Sequence, residues 1–424
     1  MKRDKFLLIA IMLYTTKSFA IPEFAREYSV DCTTCHTMVP TLNETGKSFL
    51  RNGLRFSSGD RPTLKKIINP EKGESRPIPL SIIAKGTYDT NSEDYQSKLK
   101  LYTAGTVTKN LSFFGVTKDN LNSNNGGDNQ DLFSQKSSRF YIQLNLQGDR
   151  HLVRGGLISP LTQFGNILKS SADSGLKGNN IKNQQNSSNF RGRNNQNQKY
   201  GTDNSNRNNQ RQGQNSAGRG FRGNNHYQTP IQNASIGIIK GVEYSYLFNN
   251  KLMALVSYGK SIDRGNRGEN RNGNGRNQNI LQQYNDSDDY QFIGGLQYNT
   301  DSRYSFGVIY NRFENMGEDS FSILIPIEKD FDNTQIVSTL VYRDETLQED
   351  NYYGIENSII YSITPNDYIR GIVDYGVEDS KDSYGLSLTY SKIYRYILLH
   401  LTGARRDSGE SGENLFLGSI SLMF

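Results

Sequence analysis

Phe140-Tyr141-Ile142-Gln143-Leu144-Asn145-Leu146-Gln147 runs straight into Gly148-Asp149. Phe140, Ile142, Leu144 and Leu146 fall on one side of an extended chain, and Tyr141, Gln143, Asn145 and Gln147 on the other. A strand with this period of two has an apolar face turned outward and a polar face turned inward. The same reading picks out sixteen segments: 79–89, 97–107, 111–118, 138–147, 150–158, 234–247, 251–260, 289–299, 303–313, 320–328, 334–343, 352–363, 367–376, 383–391, 394–403 and 414–424. The connections Lys109-Asn110, Gly148-Asp149, Asn249-Asn250, Thr300-Asp301, Lys329 to Asn333, Thr364 to Asn366 and Lys392-Ile393 are short, and they alternate without a break with longer ones. That asymmetry predicts an all-β fold over 79–424. It is a sixteen-stranded transmembrane barrel of the outer-membrane kind, with short periplasmic turns, long external loops and both chain ends periplasmic. Sixteen strands leave an aqueous lumen.

Composition agrees. Of 424 residues only 34% are hydrophobic, and no stretch beyond the first 20 residues approaches the roughly 20 apolar residues of a spanning helix. A barrel escapes that test, because only alternate strand residues face lipid. Tyr244, Tyr246, Tyr258, Tyr304, Tyr310, Tyr394 and Tyr396 are candidates for interfacial girdles, although plain β-propensity also explains them. The chain ends on Leu415 to Phe424, whose terminal aromatic resembles the last strand of outer-membrane barrels. Residues 1–20 read as a signal peptide: Lys2, Arg3 and Lys5, an apolar run from Phe6 to Tyr14, and a small-x-small cleavage site at Ser18-Phe19-Ala20. Its removal leaves a nearly neutral chain, which argues against nucleic-acid binding. Two tracts rich in Asn, Gly and Arg, 169–229 and 264–285, lack apolar residues for a core and are expected to be disordered external loops.

Both cysteines lie in Cys32-Thr33-Thr34-Cys35-His36, the C-x-x-C-H spacing of covalent haem attachment. Two thiols at this separation reach the two vinyl groups of one porphyrin, and His36 follows as the proximal iron ligand. A redox disulfide and half of a zinc site are the competing readings, and positions 37 to 150 hold no further cysteine or histidine. Thr41-x-x-Glu44 reads as a capping box opening a helix over about 42–52, with Leu42, Phe49 and Leu50 on one side and Asn52-Gly53 as its stop. Phe24, Leu54 and Phe56 are further candidate cover. This module, 21–56, is followed by a linker at 57–78. It is too small to fold alone, so haem and barrel must complete its core, and this helical module is expected to pack in or on the lumen. For a sixth ligand the mature chain offers Met38, Met253, Met316, Met423, His151, His226 and His400. Met38 lies on the proximal side. Met253, just after the Asn249-Asn250 turn and in register with Lys251, Ser257 and Gly259, is the first barrel residue to test.

The segment Pro22-Glu23-Phe24-Ala25-Arg26, the haem motif, Pro40-Thr41-Leu42 to Gly46, Phe49 and Asn52-Gly53 together resemble one family, the fused outer-membrane monohaem cytochrome–porins of iron-oxidising bacteria. The resemblance covers about residues 21–56 and is architectural beyond them. It implies one covalent haem c on Cys32, Cys35 and His36, extracellular Fe(II) as electron donor, and a periplasmic c-type cytochrome as acceptor. Acids in the later loops (Asp286, Asp288, Asp289, Glu318, Asp319, Asp344, Glu345, Glu349, Asp350, Glu378, Asp379 and Asp382) would concentrate Fe²⁺ if they acted together, but solvated loop charge is the plainer reading. The alternative to electron transfer is a solute-diffusion porin with an accessory haem.

Overall fold

The computed structural model describes residues 23–38, 41–57, 59–73, 76–90, 94–120, 139–147, 150–162, 164, 229–234, 236–249, 251–262, 290–300, 303–315, 318–345, 350–378, 381–394, 397–407 and 412–423. The expected signal peptide, Tyr396, Met316, His226, the 264–285 tract and all of the 169–229 tract except Thr229 lie outside them.

Sixteen antiparallel strands, each paired with its neighbours in the sequence, close into one barrel. They are β1 Leu80–Asp89, β2 Asp94–Thr106, β3 Leu111–Asn120, β4 Arg139–Leu146, β5 His151–Ile158, β6 Ile239–Phe248, β7 Leu252–Ser261, β8 Tyr290–Asn299, β9 Tyr304–Asn315, β10 Glu318–Asp330, β11 Thr334–Glu345, β12 Asp350–Thr364, β13 Asp367–Glu378, β14 Lys381–Tyr394, β15 Ile397–Asp407 and β16 Gly412–Met423. The ring is sealed by β16 against β1, from Leu417 opposite Asp89 to Met423 opposite Ile83. Every expected strand is present, several of them longer at the loop end. Some bounds move: β6 begins at Ile239, not 234, with Pro230–Asn233 in a helical turn and Ala234 wholly buried, and β15 begins at Ile397, not 394, because Lys392 and Ile393, expected as a turn, continue β14 and pair with Leu399 and Leu398.

Facing follows the alternation. Along β14, Ser387, Thr389 and Ser391 are buried while Leu386 and Leu388 are 54% and 60% exposed. In β4, Tyr141, Gln143 and Asn145 point inward, and Phe140, Ile142, Leu144 and Leu146 outward. A water-soluble β-sandwich has the opposite arrangement, with apolar residues in the core. Polar-in and apolar-out suits a barrel whose outer surroundings are hydrocarbon. Tyr244, Tyr258, Tyr304, Tyr310 and Tyr394 are all exposed on that outer surface.

Two pieces of chain fill the lumen. The N-terminal segment contributes helices α1 (Glu23–Tyr28), α2 (Cys32–Cys35), α3 (Glu44–Arg51) and α4 (Thr63–Ile68). The second piece is the flanks of the β5–β6 connection. Phe164 and helix α5 (Pro230–Asn233) pack with Ala234 on Met253, Leu255, Ile293, Ile309, Leu324 and Tyr352. The Ala234 carbonyl accepts hydrogen bonds from Asn311 Nδ2 (3.0 Å) and Ser322 Oγ (2.7 Å). Gly295 makes room for Phe164, since any Cβ there would collide with the ring.

Candidate haem site

The N-terminal module enters the barrel at its short-turn end. The Glu23 N–H donates to Ser81 Oγ (2.6 Å), the Thr63 N–H to Thr106 Oγ1 (2.7 Å), and Arg26 reaches the Leu80 carbonyl. Gln143 Nε2 donates to the Leu50 carbonyl (3.1 Å) and Asn145 Nδ2 to the Arg51 carbonyl (2.8 Å). These are end carbonyls of α3, which lack partners within the helix. The inward polar side chains of the alternating β4 stretch therefore cap a helix held inside the barrel. On the opposite side Lys47 Nζ lies 2.6 Å from Glu328 Oε1 and 2.9 Å from Glu44 Oε1. Gln335 Nε2 also donates to Glu328 (2.6 Å).

Apolar packing completes the module. Phe24 and Phe56 each meet the Phe49 ring at 4.9 Å between centroids, and Tyr28 stands edge-on to Phe56 at 4.9 Å. Phe49 and Leu54 are buried against Ala104 of β2, with Leu50 and Phe114 beside them. Phe24, Leu54 and Phe56, the candidate haem cover, gather around Phe49, packing that anchoring of the segment explains equally.

Helix α2 carries the two cysteines and is fixed to α3 by one side chain. Asn43 Oδ1 accepts from the Gly46 N–H (3.0 Å), and Asn43 Nδ2 donates to the carbonyls of Thr33 (3.2 Å) and Thr34 (3.1 Å). The N-cap of α3 is thus Asn43, not Thr41 of the expected capping box. Thr41 is taken up in a short ribbon in which His36–Met38 pairs with Thr41–Leu42. The approach of α2 to α3 is close enough that a Cβ on Gly46 would lie on the Cys35 carbonyl oxygen.

Cys32, Cys35 and His36 line one cavity of about 440 Å³, bounded by the module and the inner wall of the barrel. Its apolar lining includes Leu42, Phe49, Leu54 and Phe114, and Lys85, Lys100 and Arg139 bring cations to the wall side. A flat apolar macrocycle with two carboxylates matches that chemistry. His36 Nδ1 faces the Thr41 carbonyl at 3.3 Å. A carbonyl only accepts, so Nδ1 carries the proton and Nε2 the lone pair that an iron needs. Burial pushes both thiols above their ordinary range, Asp31 adding to the effect at Cys32 and Cys32 at Cys35. Both cysteines are free. Among the described residues the grouped metal-type side chains are Glu44, Glu328 and Asp330, around Lys47 and apart from the cysteines. The residues present fit a covalently held haem.

The structure does not bring Met253 to this cavity. It is buried in the other lumen cluster, against Phe164 and Ile231. Met38 is buried beside Met423, Ile360 and Tyr368. His151 hydrogen-bonds to Tyr244 (2.7 Å). His400 and Met423 do line the cavity. Asn43 and the β4 amides were missed from sequence; the only signal was Asn43 three residues ahead of Gly46, a second cap pattern overlapping the first. Several of the described loop acids have partners of their own. Asp319 pairs with Arg312, Glu378 with Arg343, and Asp382 accepts from Tyr375 (3.0 Å), which favours the plainer reading of loop charge.

No protein-family profile and no curated protein matches this sequence. Solved structures similar to the chain are porins and outer-membrane channels. A porin refined at 1.8 Å resolution shares 12% identity, with 81% of this chain and 99% of that one covered and a TM-score of 0.43. OmpT of Vibrio cholerae shares 9% identity over 81% and 98% (TM-score 0.44), and the channel DcaP of Acinetobacter baumannii 11% over 81% and 96% (TM-score 0.43). The barrel assignment rests on this chain's own closed strand order; what the molecule is similar to is a porin-like sixteen-stranded barrel.

Proposed function

We propose that this chain is an outer-membrane electron-transfer protein: a porin-like barrel whose short-turn mouth carries one covalently attached haem c. The supporting observation is the placement of C-x-x-C-H on the wall of a lumen cavity lined by both the module and the barrel. Cys32 and Cys35 tether the group, His36 ligates its iron, and Lys85, Lys100 and Arg139 neutralise its carboxylates. When bound, haem supplies one-electron transfer at a fixed point. The barrel holds that point within a hydrocarbon layer about 30 Å thick, so a donor reaches it from the loop side and a periplasmic c-type cytochrome from the short-turn side. Fe(II) is the proposed external donor. The chain's resemblance over 21–56 supports that choice, and the loop acids add little to it.

A solute-diffusion porin is the second reading, favoured by the porin-like fold and by a lumen lined with polar side chains. One experiment separates the two. Intact cells making the protein are given Fe(II), and the haem absorption is followed. Electron transfer predicts reduced haem in the parent protein and loss of the signal in Cys35→Ala and His36→Ala, with Cys35→Ala also lacking haem stain on a denaturing gel. Haem that stays oxidised across a range of Fe(II) and pH favours the diffusion porin.

A further inference from the structure

We infer that His400 of the barrel wall is the second axial ligand of the iron, completing a site whose first ligand, His36, comes from the N-terminal module. The inference rests on the haem reading above. Two barrel-wall side chains of the kinds that cytochromes use as iron ligands, a histidine and a methionine, line the same cavity as Cys32, Cys35 and His36: His400 and Met423.

Their settings differ. Met423 is 3% exposed, wedged among Met38, Ile360, Tyr368, Ile393 and Leu398. Met38 belongs to the ribbon that carries His36, and Met423 is packed into one apolar cluster with it. His400 stands opposite Ser419, two inward positions deeper along β16 than Met423. Leu398, Thr402, Ala404 and Arg406, which share its inward parity, are buried.

His400 is also held as metal-binding histidines are. Its Nδ1 lies 2.7 Å from Ser391 Oγ on the adjacent strand β14, and Ser391 is fully buried. The Ser391 hydroxyl can accept from Nδ1 or donate to it; ligation of iron through Nε2 calls for the first, the tautomer that the Thr41 carbonyl imposes on His36. Outer hydrogen bonds of this kind set ring orientation and ligand basicity. A wall-borne ligand gives the iron two attachments from parts of the chain that meet only after the module has entered the barrel.

The test starts from the purified mature protein. A pyridine haemochrome assay first establishes covalent haem. Paramagnetic resonance of the oxidised protein should then show a low-spin iron. His400→Ala, with its haem content and heat-modifiable gel mobility retained, should lose most of the low-spin signal to a high-spin one. Added free imidazole should restore it. His400→Met should keep a low-spin iron and shift the potential upward. His400→Gln keeps a hydrogen-bonding side chain beside Ser391 and separates folding from ligation: it should fold and still lose the low-spin signal. A haem-loaded His400→Ala or His400→Gln that stays low-spin overturns the assignment, as does loss of the signal on Met423→Leu instead. Parent protein without covalent haem overturns the attachment reading itself, and this assignment falls with it.

Discussion

Asn43 accepts one hydrogen bond and donates two, and through them the cysteine-bearing α2 is locked to the start of α3. Replacing an N-cap asparagine by alanine typically costs about 0.5–2 kcal/mol, and here the two donated bonds go as well. We expect Asn43→Ala to leave the barrel intact on gels while lowering haem content and exposing the module to protease. Gly46→Ala should be harsher, since the added methyl has no space beside the Cys35 carbonyl: haem stain is lost while heat-modifiable mobility persists. Parent-like haem staining of Gly46→Ala would contradict the close α2–α3 packing. At this scale Cys32, Cys35 and His36 are legible in the sequence, because attachment chemistry fixes their spacing. The cap is not, because Thr41-x-x-Glu44 fits the capping-box pattern and Asn43-x-x-Gly46 does not, and the pairing of Thr41 with the His36 ribbon removes Thr41 from the cap.

Helix α3 shows what an element gains from a distant partner. Its position near 42–52 follows from its apolar spacing, yet nothing nearby announces that Lys47 is 2% exposed or that it is paired with Glu328, which is 1% exposed. The two are 281 residues apart. Only closure of the barrel brings β10 to the helix, so this contact is invisible to any local reading. Removing one member of a buried ion pair costs about 3–5 kcal/mol, because the other charge is left without compensation, whereas apolar replacement of both is close to neutral. Lys47→Met should therefore loosen the module, seen as faster protease cleavage within residues 23–56 and lower haem retention. The double variant Lys47→Met with Glu328→Leu should recover most of the loss. If the double variant is as loose as the single one, the pair is not what secures α3.

For the whole molecule, the strands were legible because a period of two and a short turn are properties of a few neighbouring residues, and the alternation of short with long connections then orders them. What fills the barrel was legible only in part: a module too small to fold alone points to the lumen, but the second filling does not announce itself. Phe164, Ile231 and Ala234 flank a long polar tract and carry no periodicity, so their packing on Leu255 and Ile293 emerges only in three dimensions. The filling has a consequence for transport. With the module across the short-turn end, and Phe164 and α5 against the wall, a sixteen-stranded barrel that would otherwise hold an aqueous channel is narrowed from two directions. Reconstituted in liposomes, the mature protein should admit small sugars slowly and show low single-channel conductance. A variant lacking residues 21–56 should keep its closed strand ladder, because no barrel strand belongs to that segment, and its conductance and sugar uptake should both rise. Lys47→Met, which loosens the module without deleting it, should fall between the two. Equal conductance in the parent and the deletion variant would mean that the module does not obstruct the lumen, and solute diffusion would then be the stronger account of the barrel.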